Sequence, residues 1–245
     1  MPALVLSKTT ARAFRKIALT PLRLIPEASV WPILTGPLRG KKWIIGASRR
    51  ACWLGIYERH FQRLLREQLK PSTIFYDIGA NVGFYSLLAS GIVKSGMVYA
   101  FEPVPRNVAF LRRHVALNHA TNVGVLQVAV SDHEGSATFQ ESADNASGHL
   151  GPGELQVRLT SIDLLLERSE ISPPNCIKID VEGAEVEALL GARDCLMRHK
   201  PAILLATHSA QLHAQCRELL DTWGFTFQPI SMMAEGRADV LVRPR

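Results

Sequence analysis

The sequence holds only four cysteines, Cys52, Cys176, Cys195 and Cys216, and none stands in a Cys-x-x-Cys or Cys/His ligand spacing. Neither a disulfide framework nor a zinc site is expected, and reduced, buried thiols suit the cytosol. Also missing is any apolar run near the roughly 20 residues that cross a bilayer. Pro21 and Pro26 interrupt the front segment before a signal-peptide core forms, so the expectation is neither a secreted nor an integral protein. Zinc spacing, RNA-binding aromatic signatures and a helix-turn-helix pattern are absent too, so nucleic acid is not the expected partner.

What is present suits one α/β domain with an appendage: 245 residues, 47% of them hydrophobic. The formal charge of +6 conceals an uneven spread, because residues 1 to 70 carry 14 Lys and Arg against 3 Asp and Glu. The remainder carries 14 against 19 and is acidic. A basic front segment suits an anionic partner, or is the solvated rim of a helical lid. Across residues 6–19, Lys8, Arg12, Arg15 and Lys16 share one side of a helical wheel and Leu6, Ala13, Phe14 and Ile17 the other. Such a helix suits peripheral contact with the inner membrane surface, or packing on its own domain. Residues 36–57 predict two short strands with glycine turns, a flap beside a cleft, and Glu58 to Lys70 an amphipathic helix ended by Pro71. The division expected is a basic extension over 1–71 and a main domain over 72–245.

From Ser72 strands and helices alternate at the spacing of a doubly wound parallel sheet. Strands are predicted at Thr73 to Asp77, Met97 to Phe101, Val123 to Val128, Cys176 to Asp180 and Ala202 to Ala206, with a terminal pair at Phe225 to Pro229 and Asp239 to Val242. Short strands are expected at Ala137 to Gln140 and Gln156 to Leu159.

The most informative stretch is Tyr76-Asp77-Ile78-Gly79-Ala80-Asn81-Val82-Gly83, a strand entering a glycine turn that opens a helix. Gly79, Asn81 and Gly83 tolerate positive φ and let backbone approach a ligand. The turn has no lysine or arginine, unlike a phosphate-gripping loop of the Walker type. Acids and uncharged polar residues favour a ligand with a sulfonium and an amino group, and S-adenosylmethionine is such a ligand. Asp77 would then accept from the amino group, and the helix N-terminus would receive the carboxylate. Glu102, at the end of the second core strand, is placed to hold both ribose hydroxyls. Ser131 or Asp132, after the third, is the candidate for the adenine amino group, though Asp132-His133-Glu134-Gly135 also makes an ordinary turn.

Acids gather after the fourth core strand in Lys178-Ile179-Asp180-Val181-Glu182-Gly183-Ala184-Glu185. Asp180 is the first candidate for a base or orienter near the methyl donor and Glu182 the second; Glu185 could cap the next helix, and Lys178 could pair with an acid. His208 ends the fifth strand facing the expected crevice, either as a general base or packed beside a capping Thr207 or Ser209. The remaining histidines are expected at the surface.

With Trp53-Leu54-Gly55-Ile56-Tyr57-Glu58, Phe101-Glu102-Pro103, Leu117-Asn118, Val130-Ser131-Asp132 and the two longer motifs above, the chain resembles the FkbM family of S-adenosylmethionine-dependent methyltransferases. The resemblance implies a class I methyltransferase fold, Rossmann-like, with a mostly parallel seven-stranded sheet whose last strand is reversed. It further implies O-methylation of a hydroxyl on a sugar, glycolipid or secondary metabolite, with Asp77, Gly79 and Gly83 as cofactor-loop residues and Glu102 as the ribose acid; the strand-end positions of Asp180 and His208 make either the candidate to take the hydroxyl proton. Such proteins often carry an acid just before the histidine that follows the fifth strand. Here that place is Thr207, which weakens any mechanism needing an acid there, metal coordination included. Two rival readings share these features: a nicotinamide-dependent oxidoreductase, and a non-enzymatic membrane-associated binding protein on a decayed methyltransferase fold.

Overall fold

The computed structural model describes residues 25–141, 148–151, 153–232 and 236–245; the basic stretch 6–19, with its expected surface helix, lies outside them. Val30–Pro32 (β1) and Lys42–Ile44 (β2) form an antiparallel pair. Ile74–Ile78 (β3), Met97–Phe101 (β4) and Val123–Leu126 (β5) follow. Ala129–Val130 (β6), Gly135–Glu141 (β7), Gly148–Leu150 (β8) and Leu155–Thr160 (β9) build a small separate sheet, β6-β9-β7-β8. Cys176–Ile179 (β10), Ala202–Thr207 (β11), Phe225–Met232 (β12) and Ala238–Pro244 (β13) complete the chain.

The main sheet has seven strands in the order β12-β13-β11-β10-β3-β4-β5. From β11 to β5 neighbours run parallel, whereas β13 runs antiparallel to β11 and to β12. This is the class I methyltransferase arrangement, a doubly wound sheet with its last strand reversed. Order reverses between β3 and β10, and in such sheets the crevice at that switch point, outside the carboxyl ends of the strands, takes the ligand. Among the described residues no helix is long and apolar enough to cross a membrane.

Both faces of the sheet are buried, so the period-two alternation of strand side chains divides the core. Tyr76 and Ile78 of β3, with Ile177 and Ile179 of β10, pack on one side with Leu189, Leu196 and Leu220. Phe75 and Cys176 pack on the other, under helix Phe84–Ile92, in a cluster that also takes in Trp43, Trp53, Phe61 and Leu65 from the front of the chain. Asp77 and Lys178 alternate onto this second face, and the parallel register sets them side by side.

Two local expectations need correcting. Only one strand of the predicted flap forms within 36–57, namely β2, which pairs with β1 upstream; Trp53 and Leu54 instead end helix Arg50–Leu54. A short apolar run does not distinguish strand from helix. Gly55 decides it, at φ 73, where its N–H closes the helix and a Cβ would stand 1.9 Å from the Thr35 carbonyl oxygen. Second, His114 is fully buried rather than superficial. Its ring stacks on Trp43 with centroids 4.0 Å apart, Nε2 accepts from the Ile44 N–H at 3.0 Å, and Nδ1–H donates to the Val82 carbonyl at 2.8 Å. Burial lowers its pKa to about 4, so it is the neutral imidazole that ties the front hairpin to the glycine turn.

All four thiols are buried and unbridged, and burial pushes each up to about 12. The apolar alternation of β7 and β9 suits a sheet with one covered face: Phe139, Val157 and Leu159 pack on Val104 and Ala129 beside the crevice.

Candidate active site

A cavity of about 270 Å³ opens at the switch point, lined by the ends of β3, β4, β10 and β11 and by Tyr57 and Glu58 from the front of the chain. Its floor is the turn after β3. Gly79 and Ala80 both donate their N–H to the Phe101 carbonyl, at 3.0 and 2.9 Å, which ties the turn to β4. Gly79, Asn81 and Gly83 have φ of 78, 50 and 91°, so the expected left-handed residues are all used. The protein's own packing already demands two of these glycines. A Cβ on Gly79 would stand 1.9 Å from the Asp180 carbonyl oxygen, and one on Gly83 would stand 2.3 Å from Leu111 Cδ1.

Glu102 lines the cavity at the end of β4, with Oε2 accepting from the Asn81 N–H at 2.8 Å and Oε1 from the Val104 N–H at 3.0 Å and Asn107 at 3.2 Å. Burial raises its pKa, against the pull of these donors. Asp77 is fully buried behind the turn and is not among the lining residues. Its Oδ2 accepts from Ser86 at 2.6 Å and its Oδ1 lies 3.3 Å from Lys178 Nζ. Ser131 and Asp132 lie past the cavity wall, which is made here by Val128, Ala129, Val130 and Phe139. Asp132 is largely exposed, held 2.6 Å from His133.

Asp180, Glu182 and His208 come together on the opposite wall, as the strand-end positions predicted. His208 Nε2 is 3.5 Å from Asp180 Oδ1 and 3.3 Å from Glu182 Oε2, while Nδ1 is 2.6 Å from Glu185 Oε1. Burial alone would lower the His208 pKa, but the Glu185 hydrogen bond and the charges of Asp180 and Glu182 outweigh it and raise it. The capping alternative holds as well, since Ser209 Oγ caps helix Ala210–Thr222 through the Leu212 N–H. Thr207 turns its hydroxyl to the Ala238 carbonyl, at 3.2 Å.

Motif spacing did not single out Glu58, Tyr57 or Tyr85 as site residues, and it read Lys178 only as a pairing partner. Tyr85 donates to Glu58 Oε2 at 2.6 Å; burial pushes the Glu58 carboxyl upward, and this bond opposes it. Lys178 is fully buried, 3.5 Å from Asp180 and 3.2 Å from the Gly79 carbonyl, so it joins turn, strand and acid cluster. Burial lowers its pKa and the flanking Asp77 and Asp180 more than reverse this. A lysine inside a buried strand was the available signal, because a charge there requires partners. Glu58, Glu102, Asp180, Glu182 and Asp239 line the cavity together with Arg49, Lys178, His208 and Arg237, so acids and bases share its wall.

Residues 77–227 match the family model described as the methyltransferase FkbM domain. The hexuronic acid methyltransferase AglP of Haloferax volcanii is 30% identical over 142 residues, 57% of this chain and 58% of its own length. The 31-O-demethyl-FK506 methyltransferase FkbM of Streptomyces tacrolimicus is 39% identical over 83 residues, 33% of this chain and 32% of its own. The matches thus span little more than half of one relative and a third of the other. Among solved structures, the methyltransferase FkbM of Methylobacillus flagellatus shares the fold with a TM-score of 0.52 at 22% identity, over 76% of this chain and 46% of that one.

Proposed function

The chain belongs to the FkbM methyltransferase family, and from that premise we propose that it transfers a methyl group from S-adenosylmethionine to a hydroxyl of a sugar, glycolipid or secondary metabolite. The observation that carries this is the pairing, across one cavity, of a lysine-free turn closed on Glu102 with a cluster of acids and an imidazole. The residues fit the donor: acids for its positive charge, Glu102 for a ribose diol, and the apolar wall of Phe101, Val130 and Phe139 for a flat ring. When bound, the donor supplies a methyl group already activated on a sulfonium.

The protein's own work is then positioning, worth up to roughly 7 to 11 kcal/mol as effective molarity. Asp77, whose carboxylate is committed to Ser86 and Lys178, holds the turn from behind rather than touching the donor. Lys178 fixes Asp180 from the buried side. The Asp180–Glu182–His208 group receives the acceptor hydroxyl and removes its proton, a step worth about 10² to 10⁴-fold. Glu185, fully buried, orients the imidazole. A sugar acceptor draws support from the relative named a hexuronic acid methyltransferase. The family match leaves the nicotinamide and non-enzymatic readings without support.

Calorimetry with S-adenosylmethionine and mass spectrometry for a +CH₂ product in cell extract test the proposal. Glu102→Gln is expected to weaken donor binding about 10- to 100-fold, the worth of a charged hydrogen bond. Asp180→Asn is expected to cut turnover and leave donor binding largely intact. No donor binding by the unaltered protein would end the proposal.

A further inference from the structure

A methionine-derived donor carries an ammonium group, and the acid expected to meet it, Asp77, is already committed elsewhere. Asp77 is fully buried and outside the cavity lining, with Oδ2 taken by Ser86 and Oδ1 by Lys178. Of the acids that do line the cavity, Glu102 accepts from Asn81, Val104 and Asn107 and is placed for the ribose. Asp180 and Glu182 gather around His208 on the opposite wall, and Asp239 accepts from Ser231 at 2.8 Å. That leaves Glu58.

The position of Glu58 fits the task. It immediately precedes helix Arg59–Gln68, where a side chain can cap the first turn, yet its carboxylate makes no capping bond. The side chain turns to the cavity instead, where Oε2 accepts from the Tyr85 hydroxyl at 2.6 Å. Tyr85 lies in the first turn of helix Phe84–Ile92, the helix that the glycine turn opens. A helix N-terminus receives a carboxylate. In an α-amino acid the ammonium is borne on the carbon next to that carboxylate, so the acid that meets it must stand by the same first turn. Tyr85 is itself held in place, edge-on to Phe61 and Phe84 with centroids 5.1 and 5.5 Å away and with Lys178 Nζ 5.4 Å from its ring. Burial and the charge of Asp180 push the Glu58 carboxyl upward, while Tyr85, Tyr57 and Lys178 pull it down. An arriving cation favours the ionised form and relieves the upward push.

We propose that Glu58 binds the amino group of the methyl donor, in the place that the sequence assigned to Asp77, and that Tyr85 aims its carboxylate. The assignment rests on the methyl-donor reading. It gives the front of the chain, outside the matched segment 77–227, a direct part in the cofactor site.

Calorimetry on the full chain tests it by comparing S-adenosylhomocysteine with its deaminated analogue, which keeps the carboxylate and lacks only the amino group. The parent is expected to prefer the first about 10- to 100-fold, the worth of a charged hydrogen bond. Glu58→Gln keeps the shape of the side chain and an oxygen for Tyr85. It is expected to bind the two ligands within about threefold of each other, and the analogue as the parent does. Tyr85→Phe removes the aiming bond and leaves the charge, so its preference is expected to shrink by only about threefold. The assignment is overturned if the parent does not discriminate or if Glu58→Gln keeps the parental preference. It is overturned too if Glu58→Gln loses both ligands by the same factor, as a residue that only shapes the cavity would. Full preference in Tyr85→Phe overturns the part given to Tyr85. A parent that binds neither ligand ends the methyl-donor reading itself, an outcome distinct from a parent and a variant that both bind and discriminate alike.

Discussion

His114→Phe is expected to destabilise the protein by an amount that depends on pH in a calculable way. Phenylalanine keeps a ring against Trp43 but leaves the Ile44 N–H and the Val82 carbonyl buried and unpaired. At about 1 to 3 kcal/mol for each of the two orphaned groups, the deficit at pH 7.5 is roughly 2 to 6 kcal/mol. In the parent, folding holds the His114 pKa near 4, because burial disfavours the imidazolium, against an ordinary value of 6.5. Above about pH 6.5 the ring is neutral in both states and stability does not change on its account. Below it the unfolded chain takes up a proton that the folded chain refuses, so stability is lost progressively as pH falls from about 6.5 towards 4. By pH 5 that loss is about 2 kcal/mol, and the Phe variant does not share it. The variant's deficit should therefore shrink by about 2 kcal/mol between pH 7.5 and pH 5, read by urea unfolding of both proteins at both pH values. An equal deficit at the two pH values would refute the buried neutral imidazole.

Lys178→Met removes the buried cation between Asp77 and Asp180 and leaves the buried Asp77 side chain without its ion-pair partner, costing roughly 3 to 5 kcal/mol. Scanning calorimetry should show Tm lower by about 10 °C, and an unchanged Tm would mean that the lysine is not the keystone of the cluster. Gly79→Ala and Gly40→Ala place the same methyl at similar φ, 78 and 87°. At Gly79 it meets the Asp180 carbonyl at 1.9 Å, whereas at Gly40 nothing lies within 4 Å. The first is expected to cost more than about 3 kcal/mol and the second about 1 to 2, and equal losses would show that conformation alone, not the close approach of β3 and β10, selects glycine in the turn.

The outline of the fold was legible because it rests on local and repetitive signals. Alternating apolar strands and amphipathic helices declare a doubly wound sheet, and every core strand expected from residue 72 onward is present within a few positions. Strand-end placement also brought Asp180, Glu182 and His208 to one wall, since residues after parallel strands share an edge. Trp53 to Tyr57 was misread because five residues hold too little periodicity to tell a strand from a helix turn, and the deciding contact comes from Thr35 across the chain.

By itself, then, the order of residues determined the layers, the crevice edge and which acids stand there, all consequences of chain periodicity. Tertiary structure alone decided that Asp77 turns behind the crevice to a buried lysine, that His114 joins the hairpin to the turn, and that Glu58 and Tyr85 reach the cavity. Those outcomes depend on partners 27 positions apart for Glu58 and Tyr85, 32 for Val82 and His114 and 101 for Asp77 and Lys178, and no local pattern encodes which buried charge will meet which. The physical reason is that a buried polar group is settled by the partners that compensate its desolvation, and packing brings those together only after the sheet exists.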